Sequence, residues 1–414
     1  MKNSFFSKIY NYIQKKNILK KFKIVLYYFD SLLLLWIKKP KYSNHGKKKV
    51  LVIYNLALGD GVIFNCSSKD YRSIYPKDEY QLDLLCQNGV QNLYVDNEIF
   101  DNVIHLDFMK AAVNPVIRFK NYKIIRKTYY DIVIDPVGIF ECTTNVLLTR
   151  ATVSKKKIGI LDENKEIFLN KRIYSNIYTD IYTIKKDKIL SLIEYYQKVI
   201  YLVSNKKITH DVGFVPLKTK KIKTKIPKKY FVIFPSASIE LKRWPIERYR
   251  EIAKMVYEKL HIPLVVCGTA IDRVAVNDLI SDLDIDVINL LGKTSINDYF
   301  EVIKNASFVI TNDTSAYHIA LSFQTPVIII SGGYDFDRYI EYNFKRKEEF
   351  KKPYIVAKRK KCFNCHEFCP YFNNEDKLWK CLDEITVHDV EIQINKLIED
   401  ERLGDENEFG EQIK

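Results

Sequence analysis

Glycine is scarce in this 414-residue chain, at 13 residues, and its glycines nowhere form a phosphate-binding fingerprint. There is no Gly-x-x-x-x-Gly-Lys-Ser/Thr, and no Gly-x-Gly-x-x-Gly follows a strand. These absences argue against an ordinary P-loop NTPase and an ordinary NAD enzyme. Eight cysteines are too few for a disulfide scaffold. A secretory signal is missing too, because no small-residue cleavage site follows the basic, aromatic N-terminus. The apolar run Ile24 to Ile37 is 14 residues long and contains Asp30, which is short for a membrane span. Together these point to the cytoplasm. No RNP-type signature is present, and the lysines gather into no motif that reads nucleic acid.

What is present is a hydrophobic content of 47%, that of a chain with a sizeable core, and enough length for two domains. Sixty-six Lys and Arg against 51 Asp and Glu leave a net charge of +15. Nucleic acid, an anionic membrane face or phosphorylated substrates would suit that surplus, which a coding bias toward lysine would also produce. Lysines 20, 21 and 23 precede the Ile24–Ile37 run, and lysines 38, 39 and 41 follow it. A basic, apolar helix with Trp36 suits a bilayer interface. The same run equally suits a helix docked on the protein's own core.

The unbroken apolar run at 50–54 reads as a buried strand, and further strands are read at 80–86, 131–134 and 157–160. Helical stretches run from the turn Asn55–Gly61 to about Tyr75 and from Phe140 to Leu148. Seven lysines between Lys218 and Lys229 mark the best linker. Strands then recur at 230–234, 264–267, 287–290, 307–310 and 327–330, with a helix over 246–260 and one capped by Gly292–Ser295. Strands alternating with helices predict two α/β halves with parallel sheets. The expected domains are a basic-apolar leader, 1–46; an N-terminal domain, 47–217; a linker, 218–229; a C-terminal domain, 230–380; and a final helix with a polar tail, 381–414.

The stretch Thr311 to Ala320 lies at the carboxyl end of a buried strand and opens a helix, where an α/β sheet holds its ligands. Free N–H groups and the positive dipole end there suit a phosphate, although Asp313 or Thr314 can equally be an N-cap. The loop 235–245, with Ser236, Ser238, Lys242 and Arg243, follows another such strand. Both loops belong to one edge of a parallel sheet, so they would make a cationic, hydroxyl-rich clamp for a diphosphate.

These motifs, in this order, resemble glycosyltransferase family 9, the family of the ADP-heptose:lipopolysaccharide heptosyltransferases. Leu58-Gly59-Asp60 resembles its Leu-Gly-Asp, with Cys66 where a Pro is usual and Tyr75-Pro76 at its aromatic-Pro. Asp131 to Gly138 resembles its Asp-Leu-Val-Ile-Asp-Leu-Gln-Gly, with Val137 for Gln. Phe234 to Pro245, Asn289 to Ser295 and Thr311 to Ala320 resemble three further motifs, with Ser236 and Ser315 where glycine is usual. The likeness covers roughly 48–395.

The resemblance implies a GT-B fold, two Rossmann-like domains facing across a cleft, the N-terminal one for the acceptor and the C-terminal one for the donor. The final helix would cross back onto the N-terminal domain. It implies an inverting, metal-independent transfer of a heptose or related sugar, with no cofactor, from a nucleotide-sugar donor such as ADP-heptose to a lipopolysaccharide-core-like glycan or glycolipid. Asp60 would be the base that takes the acceptor proton, its alternative reading being an N-cap. Ser236, Ser238, Lys242, Asp272, Asp313, Thr314, Ser315 and His318 would line the donor site. Lys242 would hold a phosphate, Asp272 would reach the base or ribose, and His318 would hold the loop rather than react. The enzyme would work in the cytoplasm, on the inner face of the cytoplasmic membrane, and not on nucleic acid. The competing expectation is a non-catalytic protein of the same fold that binds an anionic membrane or nucleic acid through its lysines. Cys362, Cys365, Cys369 and Cys381 add a zinc site by count or redox-bonded cysteines, or else free thiols packed in a loop.

Overall fold

Strands buried on both faces are written as continuous Val, Ile and Leu, and two such sets build two sheets. The structure is a computed structural model. It describes residues 18–42, 46–94, 98–139, 143–163, 171–185, 189–209, 213–219, 225–342, 350–366, 369–373 and 376–403. Of the expected leader, residues 1–17 and 43–45 lie outside this set, as do 220–224 of the expected linker.

The first sheet comprises β1 (Lys48–Tyr54), β2 (Tyr80–Gln87), β3 (Asn102–Leu106), β4 (Tyr129–Asp135), β5 (Val153–Asp162) and β6 (Asp180–Ile184). The second comprises β7 (Phe231–Phe234), β8 (Leu264–Val266), β9 (Val287–Asn289), β10 (Phe308–Asn312), β11 (Val327–Ile330) and β12 (Tyr354–Val356). All pairings are parallel, in the orders β3-β2-β1-β4-β5-β6 and β12-β11-β10-β7-β8-β9. Both are the doubly wound order, in which strand sequence reverses beside the first strand of each sheet. The reversal falls between β1 and β4 in one sheet and between β7 and β10 in the other. There Thr311 pairs with Phe234, so the loops after these two strands leave the sheet at the same edge.

The chain divides into two compact units near residue 210. This is ahead of the Lys-rich stretch, and Phe214 already belongs to the C-terminal unit because its ring stacks on His318. In that unit Trp244, Tyr249, Ile252 and Val256 close over β7, β8 and β10. Helix starts follow local chemistry. Ser295 with Asp298 and Thr386 with Asp389 are capping boxes, and Asn114 caps a helix with Pro115 at its first position.

The final helix, Val387–Asp400, buries Val390, Ile394 and Leu397 in one core with Phe231, Ile328 and Ile330 of the C-terminal sheet.

Candidate functional site

Asn312, the last residue of β10, is the hinge pin of the C-terminal site. It is fully buried. Its side-chain amide donates to the Pro235 carbonyl at 2.6 Å, and its side-chain oxygen accepts from the Trp244 backbone N–H at 3.1 Å. One side chain thus fastens both ends of the loop 235–244 to the end of β10. A buried amide with donor and acceptor both satisfied is costly to remove. The loop carries Lys242, whose ammonium stands 3.6 Å from the Asp313 carboxylate and 4.1 Å from the centre of the Tyr334 ring. A cation between a carboxylate and an aromatic face is held at two points.

Thr314 is the N-cap of the helix Ser315–Phe323, its hydroxyl accepting from the Ala316 N–H at 3.3 Å. Its hydroxyl also lies 3.1 Å from that of Thr311. Capping and anion binding use the same end of the helix, so the two readings of this stretch are compatible. Ser315, where the family has glycine, is the first helical residue and does not have a positive φ. The substitution therefore carries no backbone strain. Ser236 is buried, its hydroxyl without a hydrogen-bond partner among the described residues, whereas Ser238 is exposed.

Asp272 and His318 both make local contacts. The Asp272 carboxylate folds back on its own turn, accepting from the Thr269 N–H at 2.7 Å and the Thr269 hydroxyl at 3.0 Å. That close approach needs the glycine at 268, whose φ is +153° and whose added Cβ would stand 2.8 Å from that of Asp272. His318 is buried between Tyr317 and Phe214, with the Tyr342 hydroxyl 3.4 Å from its Nδ1. Burial drives its pKa down to about 3, so the ring is neutral in the folded protein.

This has a measurable consequence. The folded pKa lies below the ordinary value of about 6.5, so the unfolded chain takes up a proton that the folded one refuses. The contribution is intact above pH 6.5 and is lost as pH falls from there toward 3. Urea unfolding at pH 7 and pH 5 should differ by about 2 kcal/mol through this residue. The His318→Gln variant should lack that part of the pH dependence, and an identical dependence in the variant would reject the assignment.

Behind Tyr334 lies the cysteine loop. The Tyr334 ring packs on Trp379 at 4.7 Å, and Cys381, Cys365, Cys369 and Phe363 belong to the same cluster. Cys362, Cys365, Cys369 and Cys381 line one pocket with Lys360 and Trp379. The Gly333 N–H donates to the Cys381 sulfur at 3.4 Å, and burial raises the Cys381 thiol above its ordinary pKa. Among the described residues no three His, Cys, Asp or Glu side chains converge as a metal requires, and no disulfide forms. The loop backs the Lys242–Tyr334 contact.

The N-terminal unit repeats the device at its own reversal point. Asn145, fully buried, donates to the Ile53 carbonyl and the Asp135 carboxylate, both at 2.8 Å, and accepts from the Asn55 N–H at 3.1 Å. Asp135 also accepts from the Tyr178 hydroxyl at 2.6 Å, and burial raises its pKa against these hydrogen bonds. Asp60 is the third residue of the helix Leu58–Ile74 and is half-buried. Ala57 holds the cap position, which removes the N-cap reading of Asp60. The Tyr54 hydroxyl donates to the Asp60 carbonyl at 2.8 Å, and that of Tyr94 donates to the Gly61 carbonyl at 2.9 Å. Two buried tyrosines therefore fix the turn that carries the carboxylate.

Asn312, Asn145 and Tyr334 were not among the site residues expected from sequence. A polar amide ending an apolar strand is the signal for Asn312. Nothing local marks Tyr334.

A family model described as glycosyltransferase family 9 (heptosyltransferase) matches residues 118–351. The chain belongs to glycosyltransferase family 9. Among its relatives, lipooligosaccharide heptosyltransferase 2 of Haemophilus influenzae is 30% identical over 95 residues, 22% of this chain and 27% of the relative. The chain thus matches about a quarter of the length of that curated relative. Among solved structures, a family 9 glycosyltransferase from Veillonella parvula superposes with a TM-score of 0.66 at 15% identity, covering 88% of this chain and all of the other. The ADP-heptose lipopolysaccharide heptosyltransferase II of Escherichia coli gives 0.62 at 16% identity, covering 86% and 99%. At these identities the likeness speaks for the fold, which is GT-B.

Proposed function

We propose that this protein transfers a sugar, a heptose or a close relative, from a nucleoside-diphosphate donor to a hydroxyl of a lipopolysaccharide-core-like glycan, with inversion. The observation that carries the reading is the Lys242 ammonium held between Asp313 and Tyr334, beside the N-terminus of the helix Ser315–Phe323. The relatives' names supply the sugar class, and ADP-heptose is the donor to try first.

In the reaction the acceptor oxygen attacks the anomeric carbon, and its proton passes to the Asp60 carboxylate. The bond from that carbon to the diphosphate oxygen breaks, and the electron pair leaves with the nucleoside diphosphate. Lys242 and the N–H groups at the start of the helix Ser315–Phe323 meet that growing charge. The Thr314 hydroxyl, placed by Thr311, is within the same group. The Ser236 hydroxyl, without a partner among the described residues, offers a further donor. Asp272 and His318 support the loops rather than the sugar.

A thermal-shift comparison of ADP-heptose with UDP- and GDP-sugars tests the reading. At a hundredfold excess over Kd a true donor stabilises by about 2.7 kcal/mol, which is about 5–10 °C for a domain of this size. One nucleotide class should shift the protein and the others should not. No shift with any of them would remove the donor site.

A further inference from the structure

The helix Ile18–Leu35 has two unlike faces. The inner one is bolted to the N-terminal unit by groups that lie far away in sequence. Asp30, 1% exposed in the middle of the apolar run, accepts from Arg118 at 2.5 and 2.6 Å and from the Tyr122 hydroxyl at 2.6 Å. Arg126 donates to the carbonyls of Leu34 and Ile37, at the helix end where carbonyls lack helical partners. Arg150 donates to the Tyr27 carbonyl at 2.6 Å and to the Ser31 hydroxyl. Leu34 and Ile37 enter the core of the first sheet. Removing one partner of a buried ion pair costs about 3–5 kcal/mol, so the helix is a fixed part of the unit.

The outer face is apolar and open. Val25, Tyr28, Phe29, Leu32, Leu35 and Trp36 are exposed by 39–83%. Their spacing of three and four residues makes one stripe. A contiguous apolar stripe of this kind marks a contact surface rather than ordinary scatter. Lys38, Lys39 and Lys41 are exposed directly beyond it. From residue 24 to 42 the one acid is Asp30, which is turned inward and paired with Arg118.

We infer that this face docks the protein on an anionic lipid bilayer, the stripe lying in the boundary between headgroups and acyl chains and the lysines meeting lipid phosphates. Tryptophan and tyrosine at the rim with lysine beyond are the composition of an interfacial helix. A second copy of the chain is the poorer occupant, because the sequence has lysines at both ends of the stripe, at 20, 21 and 23 and at 38, 39 and 41, so a parallel or an antiparallel pairing of two copies would bring lysines against lysines. No described helix is long and apolar enough to cross a membrane, and the bolted inner face keeps this one at the surface. The inference stands apart from the sugar chemistry and predicts membrane binding with or without a donor.

The molecule carries its own reporter. Of its three tryptophans, Trp36 is 83% exposed while Trp244 and Trp379 are buried. Adding vesicles of phosphatidylcholine with about one-third phosphatidylglycerol to the full chain should blue-shift its emission and carry the protein into the pellet. Pure phosphatidylcholine should do so far less, and high salt should reverse much of the binding. The variant Leu32→Ser/Leu35→Ser should lose binding about tenfold or more while keeping its melting temperature. The variant Lys38→Gln/Lys39→Gln/Lys41→Gln should bind more weakly and lose most of its salt dependence. Three outcomes overturn the inference. They are wild-type protein that stays unshifted with anionic vesicles, a serine variant that binds as wild type, and a lipid-free dimer that the serine variant dissolves.

Discussion

Asp60→Asn should lower turnover by about a hundredfold to ten-thousandfold, the usual worth of a general base, while nucleotide-sugar binding and melting temperature stay close to wild type. The substitution keeps the size of the side chain and removes only the proton acceptor. The turn itself is held by the hydroxyls of Tyr54 and Tyr94 on backbone carbonyls, which the variant leaves in place. Ala57 rather than Asp60 occupies the cap, so no capping bond is lost. A loss of the carboxylate's favourable contact with the helix dipole is worth at most about 1 kcal/mol at a partly exposed site. Steady-state release of nucleoside diphosphate, beside calorimetric titration of the donor, separates the two effects. Turnover within threefold of wild type would exclude Asp60 as the base. A collapse of donor binding would instead move Asp60 into the donor site.

Lys242→Met should cost about a hundredfold to a thousandfold in turnover, the range for removing one fixed stabiliser of developing charge, and should weaken nucleoside-diphosphate binding as well. Two effects add. The cation is lost, and the Asp313 carboxylate, 10% exposed, loses this partner and stands near the incoming phosphates with like charge. Asp313→Asn is therefore the informative companion. It leaves Lys242 on the Tyr334 ring and removes the repulsion, so diphosphate binding should hold or tighten. If the methionine variant binds diphosphate as wild type does, the anion lies elsewhere. If both variants lose binding equally, Asp313 acts on the ligand itself rather than on Lys242.

The strands that position these residues were readable because they are interior. β1, β2, β4, β7, β10 and β11 are buried on both faces, and their runs of Val, Ile and Leu announce them. The strands β3, β6 and β12 went unrecognised. Each lies at the margin of a sheet and is only partly buried, β3 and β6 being interrupted by polar residues and β12 being an apolar run of only three. The same contrast holds for helices. Ile246–Leu260 was bounded correctly by Pro245 and its apolar period, whereas the apolar stripe of Val387–Asp400 records that the helix packs and not on what.

By itself the sequence determined two parallel α/β units, and placed Lys242 and Thr314 at the ends of two strands that leave one sheet edge together. That followed from local rules: a buried strand is an apolar run, and the loop after it lies at the carboxyl edge. Only the tertiary structure decided what holds those loops and how the helix Ile18–Leu35 is fastened. Asn312 reaches Pro235 and Trp244, Asn145 reaches Asn55 and Ile53, and Asp30 reaches Arg118, across separations of 68 to 92 residues. The leader was readable as either a membrane helix or a core helix. The arginines at 118, 126 and 150 make its inner face part of the core, and its apolar outer face stays open to solvent. Bonds of that span leave no period in the chain, so they become visible only when the fold brings their ends together.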